Sequence, residues 1–232
     1  MLNLVQEYDN WWQKGNTGDQ EMEDSHQEGW KKVIELIDID DVKNRDVLDF
    51  GCNQGGFLRT LYDTTPFYSA CGIDLAKKAI GVAKERVDGY PIEYFQTGDA
   101  ASLERKFHTV ISTSVLYLIE NIDEHFRMIS SVLNDGGVYY ASFADQSKNP
   151  SFDYMKEKID QFGATKMQNK TLSEVVDSLI QNGFSVELLK EYTEPVYSVT
   201  TNYKEFYLSV DDYILSCENS YLIKARKTGS NA

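Results

Sequence analysis

The chain has 232 residues, which suits one α/β domain with a sizeable core and is short for two independent enzymatic domains. It carries 37 acidic against 23 basic residues, a formal net charge of -14. That balance argues against nucleic acid as a partner, because duplex binders grip phosphates with Lys and Arg. Three cysteines (Cys52, Cys71 and Cys217), an odd number without metal-ligand spacing, argue against a disulfide framework and a structural zinc site.

The elements read in chain order as follows. An N-terminal helix would hold Leu4, Tyr8, Trp11 and Trp12 on one side, and residues 16–28, polar and acidic, read as a loop. A second helix is expected from about Gly29 to Ile37. Asp46 to Phe50 is a short apolar strand ending in glycine, and a helix opens at Gly55. Phe67 to Ile73 is a second strand, followed by a helix from about Ala76 to Val87. Ile92 to Phe95 and Val110 to Thr113 are the third and fourth strands. A helix from Asp123 to Leu133 and a Gly136-Gly137 turn lead to a fifth strand, Val138 to Phe143. Strands alternating with helices imply a mainly parallel sheet covered on both faces. A helix from Leu172 to Asn182 ends at Gly183, and strands at Phe184–Glu191 and Ser220–Arg226 close the chain as an antiparallel pair. The expected whole is a Rossmann-like α/β three-layer sandwich on a seven-stranded, mainly parallel sheet. Residues 1–28 form a possible lid or anchor, and 29–232 one domain with insertions at about 145–170 and 193–218. No stretch approaches the ~20 apolar residues of a membrane span, and no basic start precedes an apolar run, so the expected compartment is the cytoplasm.

Three features fall just after three successive strands. The turn Val47-Leu48-Asp49-Phe50-Gly51-Cys52-Asn53-Gln54-Gly55-Gly56-Phe57 lets the backbone bend sharply and a ligand approach without a Cβ between. The helix beyond offers free N–H groups, and ligands of such sheets sit outside the carboxyl ends of the strands. Asp74 ends the second strand, where an acid can hold two ribose hydroxyls. Gly98-Asp99-Ala100 follows the third, where an acid can accept from an adenine amine.

Taken together these segments resemble the class I S-adenosylmethionine-dependent methyltransferase family, over roughly residues 30–192 and the final strand. Asp49 to Gly55 is similar to the family's first motif, with Asn53 where the middle glycine is usual. Asn tolerates left-handed dihedrals better than most residues. Ser131 to Gly137 resembles the turn before the fifth strand, with Asp135 in place of a proline. The resemblance implies S-adenosylmethionine as cofactor. By position it implies that Gly51, Cys52, Asn53 and Gly55 shape the loop around the methionine moiety and that Asp49 orients its ammonium. Asp74 would take the ribose and Leu75 would pack on adenine. Asp99 and the Ala100 N–H would meet the adenine edge, and Thr113 and Ser114 would lie near the methionine end. A nicotinamide enzyme is the poorer fit, because Gly51 onward does not give G-x-G-x-x-G.

Methyl transfer needs alignment of donor and nucleophile, and a general base only when the acceptor keeps its proton. Ser112-Thr113-Ser114-Val115 departs from the Asn/Asp-Pro-Pro-aromatic tetrapeptide that the resemblance would require of base or glutamine N-methylators. The expected acceptor is therefore O or N of a small organic metabolite. The alternatives are a protein or nucleic-acid methyltransferase, or a non-catalytic donor-binding partner protein. His26 and Tyr117 are the catalytic candidates. Tyr8, Trp11, Trp12, Phe143, Asp145, Tyr197 and Tyr203 are candidates for the acceptor pocket, and Tyr192, Phe206 and Tyr207 belong to the same aromatic insertion. His108 reads as structural and His125 as solvated. No metal and no membrane contact are expected, and the chain would act as monomer or homodimer.

Overall fold

The computed structural model describes residues 18–192 and 196–229, with side chains from His26 onward. Seven strands form one sheet: β1 (Asp46–Phe50), β2 (Ser69–Asp74), β3 (Ile92–Gln96), β4 (Phe107–Ser112), β5 (Leu133–Ala144), β6 (Phe184–Lys190) and β7 (Ser220–Lys227). Their order is β3-β2-β1-β4-β5-β7-β6. The first five pair in parallel, and β7 runs antiparallel between β5 and β6. This is the expected Rossmann-like sandwich. The order reverses between β1 and β4, so the crevice expected for a ligand opens at their carboxyl ends.

Helices cover both faces because alternate strand residues are apolar on both. Val47 and Leu48 are each fully buried, on opposite sides of β1. One core joins Val47, Ile111 and Tyr140 to α1 (Gly18–Leu36), α3 (Gly56–Thr64) and α4 (Lys77–Glu85) through Val33, Leu58 and Ile80. The other joins Leu48, Val110 and Tyr139 to α5 (Ile122–Val132) and α7 (Leu172–Gln181) through Phe126, Ile129 and Val175. Each such large side chain contributes roughly 1.5–3 kcal/mol by leaving water. Between α1 and β1 lies a single turn, α2 (Ile39–Val42), and the two insertions hold α6 (Phe152–Phe162) and α8 (Val210–Glu218). A third, smaller cluster sits apart from the sheet: Met155, Ile159 and Met167, with Tyr117, Leu118, Phe152, Phe206 and Tyr207 against them.

Local chemistry sets the boundaries. Thr171 and Glu174 form a reciprocal capping box on α7, and Gly183, at φ +83°, ends it. Two expectations are corrected. The acidic stretch 18–28 is helix, the first half of α1, because acids in the first turns complement the helix dipole. His125 is buried, 5% exposed, on the apolar face of α5 beside Phe126 and Ile129. His108 does stand at the start of β4, next to Asp46. The proposed first helix, with Leu4, Tyr8, Trp11 and Trp12, lies outside the described residues. Among the described residues, no helix is long and apolar enough to cross a membrane.

Candidate donor and acceptor site

A cavity of about 480 Å³ opens at the carboxyl ends of β1, β2 and β4. At its floor the turn after β1 is held in left-handed backbone: Gly51 at φ +82°, Asn53 at +45° and Gly55 at +75°. Asparagine is thus able to stand in the middle of this turn, as its αL tolerance predicts. A Cβ on Gly51 would meet Val115 Cγ2 at 2.4 Å, and one on Gly55 would meet the Tyr94 hydroxyl at 2.2 Å. Arg59 donates to the Gln54 carbonyl at 2.8 Å and Arg86 to its side-chain Oε1 at 3.0 Å, which fixes the turn's far side.

Asp74 fastens the same turn to β2. Its Oδ2 accepts from the Asn53 N–H at 2.9 Å and its Oδ1 from the Ala76 N–H at 2.8 Å. Asp49 is different. It is 1% exposed, and neither carboxylate oxygen has a hydrogen-bond partner among the described residues. Burial first, and the Asp74 charge second, push its pKa up to about 8. Burial raises Asp74 too, against the backbone donors that hold it down. Burial pushes the Cys52 thiol well above its ordinary value, so it is no nucleophile. A buried carboxyl with both oxygens idle, beside a glycine turn, asks for a cationic ligand. The ammonium and sulfonium of S-adenosylmethionine meet that requirement.

Known proteins resemble this chain in sequence and in fold. A family model described as a methyltransferase domain matches residues 48–139. The malonyl-[acyl-carrier protein] O-methyltransferase of Acetivibrio thermocellus is 25% identical over 113 residues, which cover 48% of this chain and 40% of that protein. Over the matched residues the chain is similar to class I S-adenosylmethionine-dependent methyltransferases. Solved structures share its fold. A chain of the complex between the Haloferax volcanii Trm112 methyltransferase activator and its methyltransferase aligns at TM-score 0.74 and 16% identity, over 92% of this chain and 95% of that one. Human N-acetylserotonin methyltransferase, in complex with S-adenosylmethionine, aligns at 0.65 and 13%, over 91% of this chain and 55% of that one.

Asp49, Gly51, Cys52, Asn53, Asp74, Leu75, Thr113 and Ser114 all border the cavity, as do His26 and Tyr117. Ser114 is itself left-handed, at φ +56°, and its N–H donates to Ser142 Oγ at 2.8 Å. Gly55 and Ala100 sit behind the wall. The Asp99 carboxylate serves the backbone: its Oδ1 accepts from the Ala101 N–H at 3.0 Å and caps the 3-10 turn Ala100–Leu103. Its neighbours Thr97 and Gly98 border the cavity instead.

Four acceptor candidates are not brought there. Phe143 is core, 5% exposed, because its side of β5 faces the α5–α7 layer. Asp145 accepts from the Leu172 N–H at 2.8 Å and from the Ser147 N–H at 2.9 Å, work that holds the start of α7 and lowers its pKa. The Tyr197 hydroxyl donates to Glu218 at 3.1 Å, and Tyr203 lies in the 3-10 turn Thr201–Glu205. From that insertion it is Phe206 and Tyr207 that reach the cavity. Tyr8, Trp11 and Trp12 lie outside the described residues. Sequence reasoning missed Trp30, which shares a face of α1 with His26 (ring centroids 6.4 Å apart), and it missed Met155 and Ile159 of α6.

Proposed function

We propose that this chain moves a methyl group from S-adenosylmethionine to an O or N atom of a small organic molecule. One observation carries the reading. The idle, buried Asp49 carboxyl and the tethered Asp74 share one cavity, and the same cavity is also lined by the apolar residues Leu118, Met155, Ile159 and Phe206. The bound donor supplies an electrophilic methyl: the acceptor's lone pair forms the new bond, the S–CH3 bond breaks toward sulfur to leave S-adenosylhomocysteine, and any proton on the acceptor atom departs. In this reading Asp49 holds the donor's ammonium and Asp74 its ribose. Leu75 and Gly98 flank adenine, and Thr113 and Ser114 border the reacting end. His26, on α1, is the imidazole of the cavity and takes the departing proton. The three free cysteines, all buried, fit a reducing compartment, so we place the protein in the cytoplasm.

The malonyl carboxylate named in the Acetivibrio thermocellus relative is not carried over, since that match spans less than half of either chain. Calorimetric titration with S-adenosylmethionine, S-adenosylhomocysteine and NAD tests the donor. The first two should bind at micromolar level and NAD not at all. Asp74→Ala should weaken donor binding at least tenfold, about 1.4 kcal/mol; unchanged affinity would remove Asp74 from the ribose role. His26→Ala should lower turnover of a protonated acceptor while donor affinity holds. A loss confined to donor affinity would make His26 a wall of the donor site only.

A further inference from the structure

We infer that the acceptor is an uncharged, mainly apolar molecule of aromatic size that presents one hydroxyl or amine, and that carboxylates and phosphates are turned away. The inference rests on the methyltransferase reading above and adds the substrate class. The half of the cavity beyond the donor turn is walled by Tyr117, Leu118, Met155, Ile159, Phe206 and Tyr207. These six belong to the third hydrophobic cluster, which packs around this space rather than in the sheet's two cores. Flat rings fit such a wall: the Met155 thioether adapts to a ring edge, and the aromatic faces stack or meet it edge-on.

Charge decides against an anion. No Lys or Arg is among the described residues that border the cavity. Four lysines of the segment that supplies Met155 and Ile159 are engaged elsewhere. Lys156 donates to Asp160 at 2.7 Å and to the Met167 carbonyl at 2.6 Å, and Lys166 to the Asp160 carbonyl at 2.6 Å. Lys158 lies over the Tyr154 ring, and Lys170 donates to the Glu120 carbonyl at 3.0 Å. A carboxylate entering this chamber would leave its hydration shell with no Lys or Arg among the described lining residues to compensate, His26 being the one imidazole there. The two acids at the donor end and the net charge of -14 oppose it further.

The polar provision is correspondingly small. The Tyr207 hydroxyl donates to Ser216 Oγ at 2.8 Å and is committed. The Tyr117 hydroxyl has no hydrogen-bond partner among the described residues, and burial pushes its pKa up, so it stays protonated. It offers one hydrogen bond to one polar atom of the acceptor. With His26, Thr113 and Thr165 it makes a small polar set on a mainly apolar wall, and such a site discriminates against ligands that leave those groups unpaired.

The test uses the full chain saturated with S-adenosylhomocysteine, titrated in a calorimeter with 2-naphthol, 2-naphthoate and naphthalene. The phenol should bind at least tenfold tighter than the carboxylate. Tyr117→Phe should weaken 2-naphthol three- to tenfold and leave naphthalene unchanged. Ile159→Arg, checked for cooperative melting, should invert the preference toward 2-naphthoate. Equal or tighter binding of the carboxylate by the unaltered protein overturns the inference, and so does failure of all three probes on protein that has bound S-adenosylhomocysteine. If S-adenosylhomocysteine itself does not bind, the donor reading falls first, and the opening titration shows that separately.

Discussion

Asp49→Asn will raise the melting temperature of the ligand-free protein and at the same time weaken donor binding by a hundredfold or more. Both halves follow from one carboxyl. Asp49 is buried with neither oxygen satisfied among the described residues, and its pKa is pushed from 3.8 to about 8. Between those values the unfolded chain ionises Asp49 and the folded chain resists. The folded state therefore binds more protons, and stability is lost as pH rises from about 4 to about 8. An amide removes that penalty, a gain on the order of 1–3 kcal/mol near neutral pH. The same amide cannot pair with an ammonium, and a hundredfold loss is about 2.7 kcal/mol, the scale of a charge-assisted hydrogen bond. Binding should also carry a proton signature. At pH 7 the unliganded Asp49 is protonated, and a bound cation ionises it, so the wild type should release close to one proton per donor. Calorimetry in two buffers of different ionisation enthalpy reads this directly. A variant that melts no higher, or a wild type that binds donor without proton release, sinks the assignment.

Acid will act through His125 in the opposite sense. Its ring lies 4.8 Å from Phe50, edge to face, and its Nε2 is 3.2 Å from the Tyr139 hydroxyl. Burial lowers its pKa from 6.5 to about 3. Below pH 6.5 the unfolded chain takes up a proton that the folded chain refuses, so stability falls between about 6.5 and 3. The shift of roughly 3.5 units sets a ceiling near 5 kcal/mol, and about 2.7 kcal/mol of it should be gone by pH 4.5. His125→Phe keeps the aromatic packing and removes the titration. It should cost about 1 kcal/mol at pH 7 through the Tyr139 contact and then lose far less than the wild type on acidification. Urea unfolding of both proteins at pH 7 and 4.5 gives the comparison, with Asp49 common to each. Equal losses would clear His125 of the acid response.

The residues that could be read from sequence are those whose neighbours in space are also neighbours in the chain. Asp46 to Phe50 is a short strand with an apolar centre, closed by Gly51, and its observed bounds are the expected ones, because a parallel central strand is buried on both faces. The donor turn and Asp74 follow from strand ends in the same way. His125 was legible too, by register: Ile122, His125, Phe126, Ile129 and Val132 repeat at helical spacing. Residue type suggested solvent there, and position decided otherwise. The wall proposed for the acceptor was not legible. Met155 and Ile159 come from a helix that reads Phe-Asp-Tyr-Met-Lys-Glu-Lys-Ile, largely polar, and they meet Tyr117 and Tyr207 only through the fold. Asp99 and Asp145 kept their predicted places in the chain, but their carboxylates satisfy backbone N–H groups, a demand that no motif displays.

The third cluster has a consequence for how such a domain diversifies. The donor turn is welded to the sheet: Gly55 abuts Tyr94, and Asp74 ties Asn53 to β2, so substitutions there disturb folding and cofactor together. Met155, Ile159 and Phe206 belong to a satellite that shares no member with the two sheet cores. A change of size or polarity there draws on a small part of the molecule's stability. On the proposed reading, point mutations in this cluster would change the acceptor while leaving the scaffold and the methyl source as they are.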